Sequence, residues 1–134
     1  MQQLNNLTDT LSVAGQPEPS DMALLAAQGF EVVICNRPDG EAPGQPTMNE
    51  MEVAATTAGM TFVRYPVNPG SFPGDDLAGL GHYFDSNQKV FAYCRSGTRC
   101  ANLWVATRQA DERATAATKA QSLGYDLSLV ARML

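Results

Sequence analysis

Residues 89–99 read Lys89-Val-Phe-Ala-Tyr93 followed at once by Cys94-Arg-Ser-Gly-Thr-Arg99. The first part is a continuous apolar run, the pattern of a strand buried on both faces of a parallel sheet. The second is a turn containing glycine, and residues 100–109 after it carry a helical pattern. A strand turning directly into a helix is the repeating unit of an α/β fold. In open parallel sheets of that kind, ligands bind at the carboxyl ends of the strands.

The same alternation recurs on either side. Thr10–Ala14 alternates and stops at Gly15-Gln-Pro, which predicts a short strand. Pro19 or Ser20 opens a helix that Gly29 closes, and Phe30–Cys35 is a second buried strand. A loop dense in proline and glycine spans 36–46. Thr47-Met-Asn-Glu50 then has capping-box spacing and starts a helix ending at Gly59. Thr61–Val67 is predicted as a strand, and Asp75 or Asp76 caps a helix running to about Ser86. Beyond the turn, helices are expected over Asp111–Ser122 and Asp126–Leu134. The prediction is a mostly parallel sheet of four to five strands, covered by helices on both faces in three layers.

The chain has 134 residues, the size of one domain, so 1–134 reads as a single unit. Hydrophobic residues make up 44%, which excludes disorder. The net charge of −5 argues against a nucleic-acid partner. That charge is unevenly spread. Residues 1–93 hold three basic and eleven acidic residues, whereas 94–134 hold six basic and three acidic ones, so the C-terminal third is the part suited to receive an anion. Three cysteines, an odd number, argue against a disulfide framework. No apolar run approaches a membrane span, and residues near Met1 lack a charged-then-apolar leader. The expectation is a cytoplasmic protein with reduced thiols, needing no membrane, metal or cofactor.

The chemistry is expected at Cys94. Backbone N–H groups of a tight turn form an anion-binding nest, and the following helix adds its positive pole. Both lower a thiol pKa, as do nearby Arg95 and Arg99, and the thiolate is the nucleophile. Gly97 permits positive φ, Ser96 and Thr98 complete the turn, and Arg99 presents a planar fork to an oxyanion.

Cys94-Arg-Ser-Gly-Thr-Arg99 with Ala101-Asn-Leu-Trp104, Leu11-Ser-Val-Ala-Gly-Gln16, and Asn36-Arg-Pro-Asp-Gly-Glu41 with Pro43-Gly-Gln-Pro46 together resemble the beta-lactamase hydrolase-like, phosphatase-like domain family. The resemblance covers residues 10 to about 105. It implies a cysteine-phosphatase-like α/β fold, with either phosphatase or sulfur-transfer activity. Some relatives of this kind are fused to a metallo-beta-lactamase-type domain that handles persulfides.

Two features weigh between the reactions. Cysteine phosphatases place the arginine six positions after the nucleophile, usually with His before it. Here Arg99 lies five positions after Cys94, and Tyr93 precedes it. A shorter loop offers fewer donors to three equatorial phosphoryl oxygens and resembles that of rhodanese-like sulfurtransferases. A phosphatase also needs an acid for the leaving alcohol. The nearest loop position is Asn68, which leaves Asp75, Asp76 or, from the other loop, Asp39; each also reads as a cap or turn residue.

The remaining candidates carry plain structural readings beside the functional ones. Cys100 is a resolving thiol or a buried helix residue. Cys35 reads as core, Arg37 as an anion contact or an ion pair, and His82 as helix surface. The preferred reading is sulfur transfer through a Cys94 persulfide, from a small anionic donor such as thiosulfate or a persulfide to a thiol acceptor. The alternatives are a phosphatase acting on a phosphate ester through a Cys94 phosphoenzyme, and a non-catalytic anion-binding or redox module. Homo-oligomerisation stays open.

Overall fold

A computed structural model describes residues 3–134. Strands form at Asn5–Asn6 (β1), Leu11–Ala14 (β2), Val32–Cys35 (β3), Thr61–Arg64 (β4) and Val90–Tyr93 (β5). Helices form at Asp21–Ala27 (α1), Met48–Thr57 (α2), Leu77–Phe84 (α3), Thr98–Thr107 (α4) and Arg113–Ser122 (α5), with a 3₁₀ turn at Ala131–Met133. The sheet order is β1-β2-β5-β3-β4, and every pairing except β1 with β2 is parallel.

Alternation along the strands feeds two cores. Leu11, Val13, Val32, Ile34, Val90 and Ala92 face α3, α4 and α5. On the other face, Val33, Phe62, Phe91 and Tyr93 pack with Met22 and Leu25 of α1 and Met51 and Ala55 of α2. This handedness follows from right-handed crossovers. The chain moves outward from β2 to β3 to β4 through α1 and α2 on one face. It then returns through α3 on the other face to insert β5 between β2 and β3. The helix after β5 therefore leaves on the opposite face from those after both its neighbours, which opens a crevice at its carboxyl end.

Several boundaries differ from the sequence expectation. β1 was not anticipated, because Asn5-Asn6 carries no apolar alternation; its pairing includes a side-chain bond from Ser12 Oγ to Asn6 Oδ1 at 2.6 Å. The strand expected to reach Val67 stops at Arg64. Tyr65 N and Val67 N still donate to the Cys35 and Asn36 carbonyls, at 2.9 and 3.1 Å, but these two acceptors are adjacent residues, so the two-residue step of a parallel ladder is broken there. The helix expected over Asp126–Leu134 is reduced to the 3₁₀ turn. Fully buried Asn102 takes its backbone groups instead, donating to Asp126 O at 2.9 Å and accepting from Val130 N at 3.1 Å. Lastly, α4 starts at Thr98 rather than Cys100, which puts Arg99 in its first turn.

Candidate active site

Cys94 follows β5 directly. Backbone bonds hold the strand end on both sides: Cys94 N donates to Ala14 O at 3.4 Å, Gln16 N to Arg95 O at 3.4 Å, and Asn36 N to Tyr93 O at 2.8 Å. The turn reverses at Gly97, which has φ +91° and is the N-cap of α4. A side chain there is disfavoured twice over. The left-handed backbone disfavours it, and a Cβ would lie 3.0 Å from Tyr125 Oη, which Asn5 Nδ2 holds at 2.8 Å.

This turn wraps the thiol. Gly97 N donates to Cys94 Sγ at 3.1 Å. The Cys94 thiol is depressed to about 5: the Cys100 thiol hydrogen-bonds to it most strongly, and the backbone N–H groups of Cys100, Ser96 and Arg99 add to the effect against the cost of burial. Cys100 itself is fully buried, and burial followed by the Cys94 charge pushes its thiol well up. At neutral pH the pair is a thiolate and a thiol donor. Cys94 is only 1% exposed, because the N–H groups that stabilise the thiolate also enclose it.

The arginines are arranged differently from the expectation. Arg99 is present at the site, but its fork is occupied. Nη1 donates to Glu41 Oε2 at 2.7 Å and to Val67 O at 3.0 Å, and Nη2 donates to Glu41 Oε1 at 2.7 Å. Arg37 is buried beside it, donating from Nε to Glu41 Oε1 at 3.0 Å and from Nη1 to Gln16 Oε1 at 3.1 Å, so its side chain sits in an ion pair. Arg95 is exposed at the turn. The hydroxyls of Ser96 and Thr98 bond one another at 3.0 Å.

The candidate acids do not join the turn. Asp76 caps α3, its Oδ1 accepting from Gly79 N at 3.1 Å. Asp75 is exposed, and the charges of both lie near the Tyr65 hydroxyl. Asp39 Oδ1 accepts from Met48 N at 2.8 Å at the start of α2, so it braces a helix rather than an anion. Cys35 packs on the far face with Tyr93; burial raises its thiol, which donates to Arg37 O at 3.2 Å. Among the described residues no cluster of three His, Cys, Asp or Glu side chains is placed to hold a metal ion.

Sequence reasoning missed Glu41 and Asn102 as site residues. Asn102 Nδ2 donates to Thr98 O at 2.8 Å and so ties the first turn of α4 to the C-terminal segment. The signal for Glu41 was its place in a loop shared with Arg37, four residues on.

Residues 3–112 match the family model described as beta-lactamase hydrolase-like protein, phosphatase-like domain. The chain belongs to this family. It is 34% identical over 132 residues to the beta-lactamase hydrolase-like protein of Agrobacterium fabrum, a match covering 96% of this chain and 31% of that one. The chain thus spans about a third of the length of that curated relative. Among solved structures, a Neisseria meningitidis protein provisionally assigned as a phosphatase superposes with a TM-score of 0.72 at 29% identity, covering 96% of this chain and 94% of that one. The phosphatase Tk-PTP superposes with a TM-score of 0.74 at 14% identity, covering 97% and 92%. The α/β fold with its mostly parallel five-stranded sheet is that of the cysteine phosphatases. These likenesses favour the phosphatase alternative over the sulfur-transfer reading preferred from loop length. Among the described residues no helix is long and apolar enough to cross a membrane.

Proposed function

We propose that this phosphatase-like domain is a cysteine-dependent phosphatase with Cys94 as nucleophile. The observation that carries the reading is the convergence of Gly97 N and neighbouring N–H groups on a Cys94 sulfur ionised down to about pH 5. In the first step the thiolate attacks phosphorus, the S–P bond forms, and the P–O bond to the leaving group breaks. In the second, water attacks phosphorus, the S–P bond breaks, and inorganic phosphate and a proton leave. The turn's N–H groups stabilise charge on the equatorial oxygens.

With Asp76 engaged in capping and Asp75 exposed, the leaving oxygen takes its proton from solvent. That favours esters of acidic alcohols, so an aryl phosphate is the substrate class proposed.

A second reading is supported by one observation: the fork of Arg99 is engaged by Glu41 in a loop one residue shorter than that of cysteine phosphatases. In it, Cys94 attacks the outer sulfur of thiosulfate, the S–S bond breaks and sulfite leaves. A thiol acceptor then takes the sulfur from the Cys94 persulfide. Turnover of an aryl phosphate, run in parallel with thiosulfate plus cyanide, separates the two. Phosphate release that Cys94→Ser abolishes is expected. Thiocyanate release without phosphate release reverses the ranking.

A further inference from the structure

The parallel strands β2, β3, β4 and β5 end at one edge of the sheet, so segments 15–20, 36–47 and 65–76 gather around the Cys94 turn. The segment after α5 joins them, because the Tyr125 hydroxyl lies against Gly97. Charge at this edge is sorted by depth. The inner layer holds the N–H groups that converge on Cys94, together with Arg37 and Arg99, which share the one carboxylate of Glu41. The outer layer carries Glu18, Asp39, Asp75, Asp76 and Asp126, all exposed and none in an ion pair among the described residues.

Hydrogen bonds fix these acids at the edge. Asp39 Oδ1 accepts from Met48 N at 2.8 Å at the start of α2, and Asp76 N donates to Tyr65 Oη at 3.3 Å just past β4. Asp126 O accepts from Asn102 Nδ2 at 2.9 Å. Gln16 N donates to Arg95 O at 3.4 Å, which ties the segment bearing Glu18 to the turn itself. Against these carboxylates, the exposed bases at this edge among the described residues are Arg95 and Arg64, and Arg64 is paired with Glu52 at 2.7 Å. Three of the six bases in residues 94–134, the part that the sequence suited to an anion, lie at the opposite edge. Arg108 ends α4 and Arg113 begins α5, and Arg113 Nη1 donates to Met133 O at 3.5 Å beside Arg132.

A phosphate seated in the turn is held by the inner layer, while whatever carries it must cross the outer one. Anionic flanking groups are repelled there and cationic ones attracted. We infer that the outer carboxylates are a specificity-determining collar, and that the phosphate ester this turn takes is carried by a peptide segment with Lys or Arg beside the phosphorylated residue. The inference rests on the phosphatase reading of the Cys94 turn, and its test needs no turnover.

Peptides bearing phosphonomethylphenylalanine, a non-hydrolysable mimic of an aryl phosphate, are titrated at pH 7 as protectants of Cys94 against iodoacetamide. One peptide has lysines on both sides of the mimic, the other glutamates. At about 0.02 M salt the half-protecting concentration of the lysine peptide should be at least about tenfold lower, and at about 0.5 M salt the contrast should shrink below about threefold. Asp39→Asn/Asp75→Asn/Asp126→Asn keeps the side-chain shapes and removes charge from the collar, so the low-salt contrast should fall at least about threefold. Asp9→Asn/Asp111→Asn/Glu112→Gln removes as much charge at the opposite edge, where these exposed acids precede β2 and α5, and should leave the contrast within about twofold. A mere response to net charge would move both variants alike.

Should the collar variant not fold, the salt dependence of the wild type decides. Equal protection by the two peptides, a preference for the glutamate peptide, no protection by either, a contrast that salt leaves unchanged, or equal losses in the two variants overturns the inference. The contrast intact, with no phosphate released from the matching phosphotyrosine peptide, removes only the phosphatase reading.

Discussion

At the scale of single residues, the site is a pair of thiols held in different protonation states. Cys94 is depressed because N–H and S–H donors point at it, and Cys100 is raised because it is enclosed and faces the Cys94 charge. The rate of Cys94 alkylation should therefore follow an apparent pKa near 5. Cys100→Ala should move it upward, since the Cys100 thiol is the largest stabilising contact. An unmoved midpoint in that variant overturns the assignment. Stability follows by linkage. The folded-state value lies below the ordinary ~8.5, so Cys94 contributes fully above pH ~8.5, progressively less below it, and nothing below about 5. Urea midpoints of the wild type should rise between pH 5 and 8, and Cys94→Ser should flatten that rise.

The thiol contact also predicts an oxidative route: peroxide should convert the thiolate to a sulfenic acid, with which the Cys100 thiol should condense to a disulfide, releasing water. Mass mapping should find a Cys94–Cys100 disulfide reversible by dithiothreitol, and sulfinic Cys94 in Cys100→Ala. Sulfinic acid in the wild type with Cys100 untouched removes the resolving role. That Cys94, Gly97 and Arg99 share one turn was legible, because they are close neighbours in the sequence. Glu41 was not, because its meaning depends on Arg99, 58 residues away.

At the scale of elements, the register of α4 decides the site. Starting the helix at Thr98 brings the N–H groups of Arg99 and Cys100 onto Cys94, whereas a start at Cys100 would have left them in a turn. Sequence alone misplaced that start by two residues, because Gly97 is read equally well as a turn residue or as the cap it is. Asn102 holds this first turn from behind. Asn102→Ala removes the side-chain partner of Val130 N, in a buried bond, and those of Thr98 O and Asp126 O, which are part-buried. A destabilisation of about 2–3 kcal/mol is expected, measured by denaturant unfolding. Cys94 alkylation should slow as well, because the helix start loosens. A loss below about 0.5 kcal/mol would show that the C-terminal segment is not anchored there. The strand and helix interiors were legible from apolar runs and the Thr47 capping box, which forms as read. The C-terminal helix was not, since its competitor is a side chain on another element.

At the scale of the whole molecule, strand order links packing to chemistry. The sequence showed alternating strands and helices but not that the last strand enters between β2 and β3, because pairing partners leave no trace in a run such as Val90–Tyr93. That insertion has a measurable consequence. Phe91 lies in the middle of β5, fully buried, with its ring in edge contact with Phe30 at 6.0 Å and stacked on Tyr93 at 6.1 Å. Phe62 is buried in the same core but sits on the edge strand β4, which adjoins β3 alone. Replacing either with leucine removes similar volume and should cost about 1–3 kcal/mol. Only Phe91→Leu disturbs the strand whose end fixes Cys94 through bonds to both neighbours. The apparent pKa of Cys94 should rise in Phe91→Leu and stay put in Phe62→Leu at matched loss of stability, read by the pH dependence of alkylation. Equal shifts in both variants would mean that Cys94 responds to global stability, and that the position of β5 between two parallel neighbours is not what holds the turn.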